Sequence, residues 1–259
     1  MAELELEQLE AARPRSMHLE WTFPLLFRPA STLKRVSEQE RGVWIAPLLI
    51  ISILAIMVVL ITAPARKIQV QSSIETPQDF QYWPPEMQQE YMDNQANKSN
   101  TLFIYIFPAA GAAAGVWITW FLLGSILHLG LTLTGSRGSN TSALNLVGWA
   151  ALPLALRYAV QAVAALSTKQ LIASPALSGF IAADATGFMV FLRGVLSQID
   201  IYFIWMVILL LVGVLPMTGL TRSKAWGAVL VSVLIIVALK ALPAFIGGQL
   251  SGLSTSSFF

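Results

Sequence analysis

Apolar residues in this chain gather into five long runs separated by polar stretches. The runs are Trp44–Thr62, Leu102–Thr132, Ala143–Leu166, Ile199–Gly219 and Ala225–Ile246, and the first is almost unbroken Ile, Leu, Val, Ala and Met. A spanning helix needs about 20 apolar residues to cross ~30 Å of hydrocarbon. The pattern therefore predicts an all-α, polytopic membrane bundle of five transmembrane helices. It divides the chain into a cytoplasmic N-terminal segment (1–43), a five-span membrane domain (44–246) and a flexible extracytoplasmic tail (247–259).

The polar stretches carry their own signals. Leu19–Phe27 (LEWTFPLLF) is rich in Trp, Phe and Leu. It reads either as an interfacial stretch with its rings at headgroup level or as a lead-in packed on the ends of the spans. Pro24 argues against a long regular helix there, and Thr32–Arg41 is expected to form a short polar helix. Pro64 is expected to stop span 1. In the polar loop 63–100, the tract Tyr82–Tyr91 suits a turn and a short helix docked against the outer helix ends. Span 2 contains Pro108, which predicts a tilt or kink. It also contains Gly111-Ala112-Ala113-Ala114-Gly115, a small-xxx-small pattern that lets helices approach closely, either within the molecule or between copies. Span 3 contains Pro153, and Leu192–Leu196 in the second outer loop suits an interfacial helix. The acidic Met1–Glu10 does not resemble a signal peptide, so the first span is expected to be retained.

Cations orient the bundle. With the N-terminus inside, the cytoplasmic segments hold Arg13, Arg15, Arg28, Lys34, Arg35, Arg41, Arg137, Arg222 and Lys224. The other side holds Arg66, Lys67, Lys98, Lys169 and Arg193. The pattern favours N-terminus in, C-terminus out.

Composition agrees with lipid as the solvent. Only 12% of residues are charged and mean hydropathy is +0.67, against about 25% charged in ordinary soluble domains. A net charge of +2 gives no ground for nucleic-acid binding. The absence of cysteine excludes disulfides, thiolate metal sites and a Cys nucleophile. The two histidines, His18 and His128, are far apart, and no metal or other cofactor is expected.

Three charges fall within the spans. Arg157 and Lys240 each lie about 15 residues into a run that starts inside, or ~22 Å at 1.5 Å per residue. Asp200 opens span 4 and is the only carboxylate in any run. A cation facing lipid is costly, so Arg157, Asp200 and Lys240 are expected to form a buried polar cluster, with Tyr158, Gln161 and Tyr202 as hydrogen-bonding neighbours. The cluster reads either as a substrate or ion site or as an ion pair fixing helix register, with Lys240 snorkelling outward. No catalytic motif accompanies it. There is no phosphate-binding glycine loop, no His-Glu-x-x-His and no second intramembrane Asp, and an oxyanion motif is lacking beside Ser125 and His128. The chain is not expected to be an enzyme.

Two stretches carry a family resemblance. Phe27-Arg28-Pro29-Ala30-Ser31-Thr32-Leu33-Lys34-Arg35-Val36 resembles the Pro-x-x-Thr-x-x-x-Ile/Val segment before the first span in bacterial members of the Yip family, the Rab/Ypt-interacting-protein type of membrane domain. Asp200-Ile201-Tyr202-Phe203-Ile204-Trp205, Gly213 and Thr221-Arg222-Ser223-Lys224-Ala225 are similar to that family's pattern through the last two spans. The likeness covers the layout of residues 20–246. It implies a bacterial plasma-membrane protein with a non-enzymatic accessory or scaffold role, for example beside an ATP-driven exporter. Its partners would then be the bilayer and other membrane proteins or further copies of itself. A small transporter or channel for an anionic substrate is the alternative that Arg157 and Lys240 suggest.

Overall fold

The computed structural model describes residues 17–72, 76–172 and 174–256. Met1–Glu10, Arg13 and Arg15 lie outside the described residues. The helices, in chain order, are α1 (Thr22–Phe27), α2 (Pro29–Ser37), α3 (Ile45–Ser72), α4 (Pro85–Lys98), α5 (Phe107–Leu133), α6 (Asn140–Ala150), α7 (Pro153–Thr168), α8 (Phe188–Leu196), α9 (Ile201–Thr218) and α10 (Arg222–Ser256). Among the described residues there is no strand. Among the described residues, five helical segments are long and apolar enough to cross a membrane: Ile45–Ser72, Pro85–Leu133, Asn140–Thr168, Ile201–Thr218 and Arg222–Gly247. The chain is an all-helical, multi-pass membrane protein.

Prolines decide where the observed helices depart from the expected ones. Pro64 does not stop the first span, because α3 runs through it to Ser72. Pro64 removes only the N–H that would reach the Leu60 carbonyl. In hydrocarbon, one unpaired carbonyl costs less than an unravelled backbone, so spanning helices tolerate proline. Pro243 is likewise read through, and α10 continues to Ser256. A helix therefore stands over Gly247–Ser256, where the sequence predicts a flexible tail. Pro153 does interrupt: span 3 is two helices, and Pro153 is the first residue of the second, the position its fixed φ suits. Before Pro108 the chain widens into a π-helix at Leu102–Ile106. The Ile104 carbonyl, which Pro108 has no N–H to reach, accepts a hydrogen bond from Arg66 Nη1 at 3.2 Å. Arg66, expected in a loop, is thus part of α3.

The described chain divides into two compact units, each taken by itself. The first comprises, of the described residues, 17–49, Trp120–Leu152 and Trp205–Leu234. Its centre is α6, in which every residue from Ala143 to Ala150 is buried. The Ser139 hydroxyl caps that helix by accepting from the Ser142 N–H. Helix α2 packs on α6 through the buried Leu33 and Val36. Close approach requires glycine at two places. A Cβ at Gly213 of α9 would strike Leu146 Cδ1 and come within 3.1 Å of Leu33 Cδ1. A Cβ at Gly148 would lie 2.9 Å from Trp44 Cβ. Lipid tails are as apolar as leucine, so this contact density and the hydrogen bonds, not expulsion from water, hold the helices together.

The second unit comprises, of the described residues, those within Ile50–Thr119, Pro153–Ile204 and 235–256. The expected loop 63–100 is mostly helical. Its aromatic residues pack on one another, with Phe80, Trp83 and Tyr91 at centroid distances of 5.5–5.7 Å. Gln88 Nε2 ties the turn by donating to the Phe80 and Trp83 carbonyls. Helix α8 is longer than the expected Leu192–Leu196 and rests on α10. Gly194 faces Ala241, Phe191 meets Phe245 edge-on at 6.2 Å, and Gln198 Nε2 donates to the Val237 carbonyl at 3.0 Å.

Candidate functional site

Asp200 has two separate duties in the second unit. Its Oδ1 accepts the Phe203 N–H at 2.8 Å, which makes it the N-cap of α9. Its Oδ2 lies 2.9 Å from Arg157 Nε of α7. That Nε–H is not directed into a hydrogen bond, so the contact is ionic, and Arg157 Nη2 donates instead to the Ser197 carbonyl at 3.3 Å. The side chains are 19% and 18% exposed. Arg157 thus joins α7 to the turn before α9 by a charge and a carbonyl at once.

The other residues expected in the cluster make no hydrogen bond or ion pair with Arg157 or Asp200 among the described residues. Lys240 is exposed on α10 and has no carboxylate within 4.0 Å among the described residues. Tyr158, Gln161 and Tyr202, expected to hydrogen-bond here, do not do so. The polar neighbours are Ser197, through its carbonyl, and the Phe203 N–H. The carboxylate has one oxygen on a backbone N–H and the other beside a guanidinium.

Gly111 and Gly115 are also placed differently from one expectation. Both are exposed on α5, and a Cβ at either would meet nothing within 4 Å. Among the described residues, no helix packs closely on either glycine. Beside them, an apolar groove of about 350 Å³ is lined by Ile56, Leu60, Tyr105, Ile106, Ala109, Ala110 and Ala113. His128 is half-buried, and among the described residues no cluster of three or more His, Asp or Glu is placed to hold a metal.

A second polar site, in the first unit, carries no sequence motif. Asn145 of α6 is fully buried. It accepts the Val43 N–H at 2.7 Å through Oδ1 and donates Nδ2 to the Arg41 carbonyl at 2.8 Å. One turn on, Trp149 Nε1 donates to the Val43 carbonyl at 3.0 Å. Val43 lies between α2 and α3 and is itself buried. Its backbone lacks helical partners, so side chains must supply them. Asn145 and Trp149, four residues apart on one face of α6, supply both. The available signal was a lone amide inside an apolar run, which must find partners when buried.

These elements coincide with a known domain. The Yip1 domain model matches residues 23–252. The chain belongs to the Yip1 domain family. No curated protein matches it, and no solved structure does. The structure gives physical content to the Yip-like residues of the sequence. Thr32 and Val36 are buried on α2, with Thr32 Oγ1 donating to the Arg28 carbonyl. Gly213 is the contact that admits Leu33 and Leu146. Asp200 is both cap and ion-pair partner, and Ala225 is buried at the start of α10. Thr32, Val36, Gly213, Asp200 and Ala225 thus serve packing or capping here.

Proposed function

We propose that this Yip1 domain protein is a non-enzymatic accessory or scaffold subunit of a membrane complex, such as an ATP-driven exporter, in a bacterial plasma membrane. The observation that carries the reading is the double use of Asp200. The one carboxylate in the apolar runs of the sequence is committed to a helix cap and to Arg157, which supports a structural use over acid–base chemistry. The same pairing speaks against an anion carrier, because Arg157 already has its counter-charge. The open Gly111–Gly115 face of α5 supports a partner role, since small residues are where membrane helices gain contact.

The test is capture at native expression. A photocrosslinking residue at Ala114, exposed on that face, is expected to trap a different membrane protein. Gly111→Leu with Gly115→Leu is expected to lower co-purification in mild detergent about tenfold, equivalent to ~1.4 kcal/mol. Recovery of this chain alone, without crosslinks, overturns the reading.

The orientation we propose is N-terminus cytoplasmic and C-terminus outside. The 35 residues of α10 reach ~52 Å at 1.5 Å per residue, longer than the hydrocarbon layer, so Ser256 stands clear of it. The chain has no native cysteine. Ser99→Cys and Ser256→Cys are expected to react with an impermeant thiol reagent from outside, and Arg137→Cys only after the membrane is opened. The reverse pattern inverts the topology.

A further inference from the structure

The segment before the first span has two faces of opposite character. Leu19, Phe23 and Phe27, spaced four residues apart through the turn Leu19–Trp21 and α1, are 56%, 72% and 81% exposed. Between them, Leu25 is fully buried and the Trp21 ring lies 5.6 Å from that of Trp149. Packing on α6 therefore fixes the direction in which the apolar ridge points. Pro24 sits in the first turn of α1, where no intrahelical N–H is required, and the non-helical Arg28 ends that helix. Arg28, Lys34 and Arg35 follow, all exposed, and none has a carboxylate within 4.0 Å among the described residues.

A ridge of Phe and Leu bordered by unpaired cations is the signature of a segment lying in the membrane interface, its apolar side in the acyl boundary and its cations among headgroups. We propose that Leu19, Phe23 and Phe27 are seated in the interfacial layer of the bilayer that the spans cross, with Arg28, Lys34 and Arg35 engaging anionic phospholipid headgroups. Lipid is the occupant because Arg28, Lys34 and Arg35 have no carboxylate within 4.0 Å among the described residues and so complement anionic headgroups. The ridge is also tied, through Trp21 and Leu25, to a unit containing membrane-spanning helices, so the bilayer is within its reach at all times. The consequence is a second attachment. Helix α6, held through Asn145 and Trp149 to the chain at Val43, is also linked through α1 and α2 to the lipid surface. This inference is independent of which protein partner the domain serves.

The full chain, free of native cysteine, permits a direct test. Spin labels are placed at Phe23→Cys, Phe27→Cys and Ser31→Cys, with Val231→Cys on the exposed side of α10 as the lipid-facing comparison. The protein is reconstituted in phosphatidylcholine vesicles with or without phosphatidylglycerol. Labels at 23 and 27 are expected to collide with oxygen and exclude a nickel chelate, as at 231, whereas 31 remains open to nickel. Phosphatidylglycerol is expected to deepen 23 and 27, and Arg28→Gln, Lys34→Gln and Arg35→Gln together to remove that dependence. Nickel access at 23 and 27 equal to that at 31 places the ridge in water and overturns the proposal. Shielding from both reagents places it under protein and overturns it equally. Deep labels indifferent to phosphatidylglycerol overturn the headgroup contact.

Discussion

Asn145→Leu is expected to lower the melting temperature in detergent steeply and to release the segment around Val43. The substitution keeps the branched side-chain shape and removes both hydrogen bonds. The Val43 N–H and the Arg41 carbonyl are then left without partners beside α6. The orphaned buried Val43 N–H costs about 1–3 kcal/mol, and the Arg41 carbonyl, on an exposed residue, adds less. Asn145→Asp is expected to do no better. It can still accept from Val43, but it sets a carboxylate against the Arg41 carbonyl in place of the N–H donor. Trp149→Phe, which orphans only the Val43 carbonyl, is expected to fall between these variants and the parent. Amide exchange separates a local from a global effect: Val43 should lose protection before the body of α6 does. An Asn145→Leu protein that melts as the parent does, with Val43 still protected, removes the clamp from this account.

The clamp also shows what a sequence can and cannot say here. The apolar runs are legible because hydrocarbon demands length and composition, and little else produces such runs. Breaks within them are less legible. Pro64, Pro153 and Pro243 look alike on the page, yet two are read through and one begins a helix. The outcome depends on whether the carbonyl that loses its partner can be left or served by a neighbour, as Arg66 serves Ile104. Asn145 is hidden for a similar reason. A single amide has no spacing to recognise, and its partners are backbone groups more than 100 positions away. Opposite charges in apolar runs are easier, since each must meet something. Arithmetic along the helices, however, put Lys240 at the depth of Arg157 without showing which way its side chain leaves α10.

Asp200 offers a sharper experiment, because its two oxygens can be tested separately. Asp200→Asn keeps an Oδ1 for the Phe203 N–H and loses the charge. Breaking a buried pair costs about 3–5 kcal/mol. The side chains here are 19% and 18% exposed, so the loss is expected nearer ~1–3 kcal/mol. Asp200→Leu loses the cap as well, and caps contribute a further ~0.5–2 kcal/mol. Arg157→Leu combined with Asp200→Asn removes the stranded guanidinium and keeps the cap, so it is expected to regain most of the stability. Arg157→Leu with Asp200→Leu is expected to regain only the ionic part. Melting in detergent should therefore rise in the order Asp200→Leu, Asp200→Asn, Arg157→Leu/Asp200→Asn. If the last is no more stable than Asp200→Asn, the two residues do not act as a unit. If it is as stable as the parent but no longer captures its partner, then the ion pair serves the function of the domain and not only its fold.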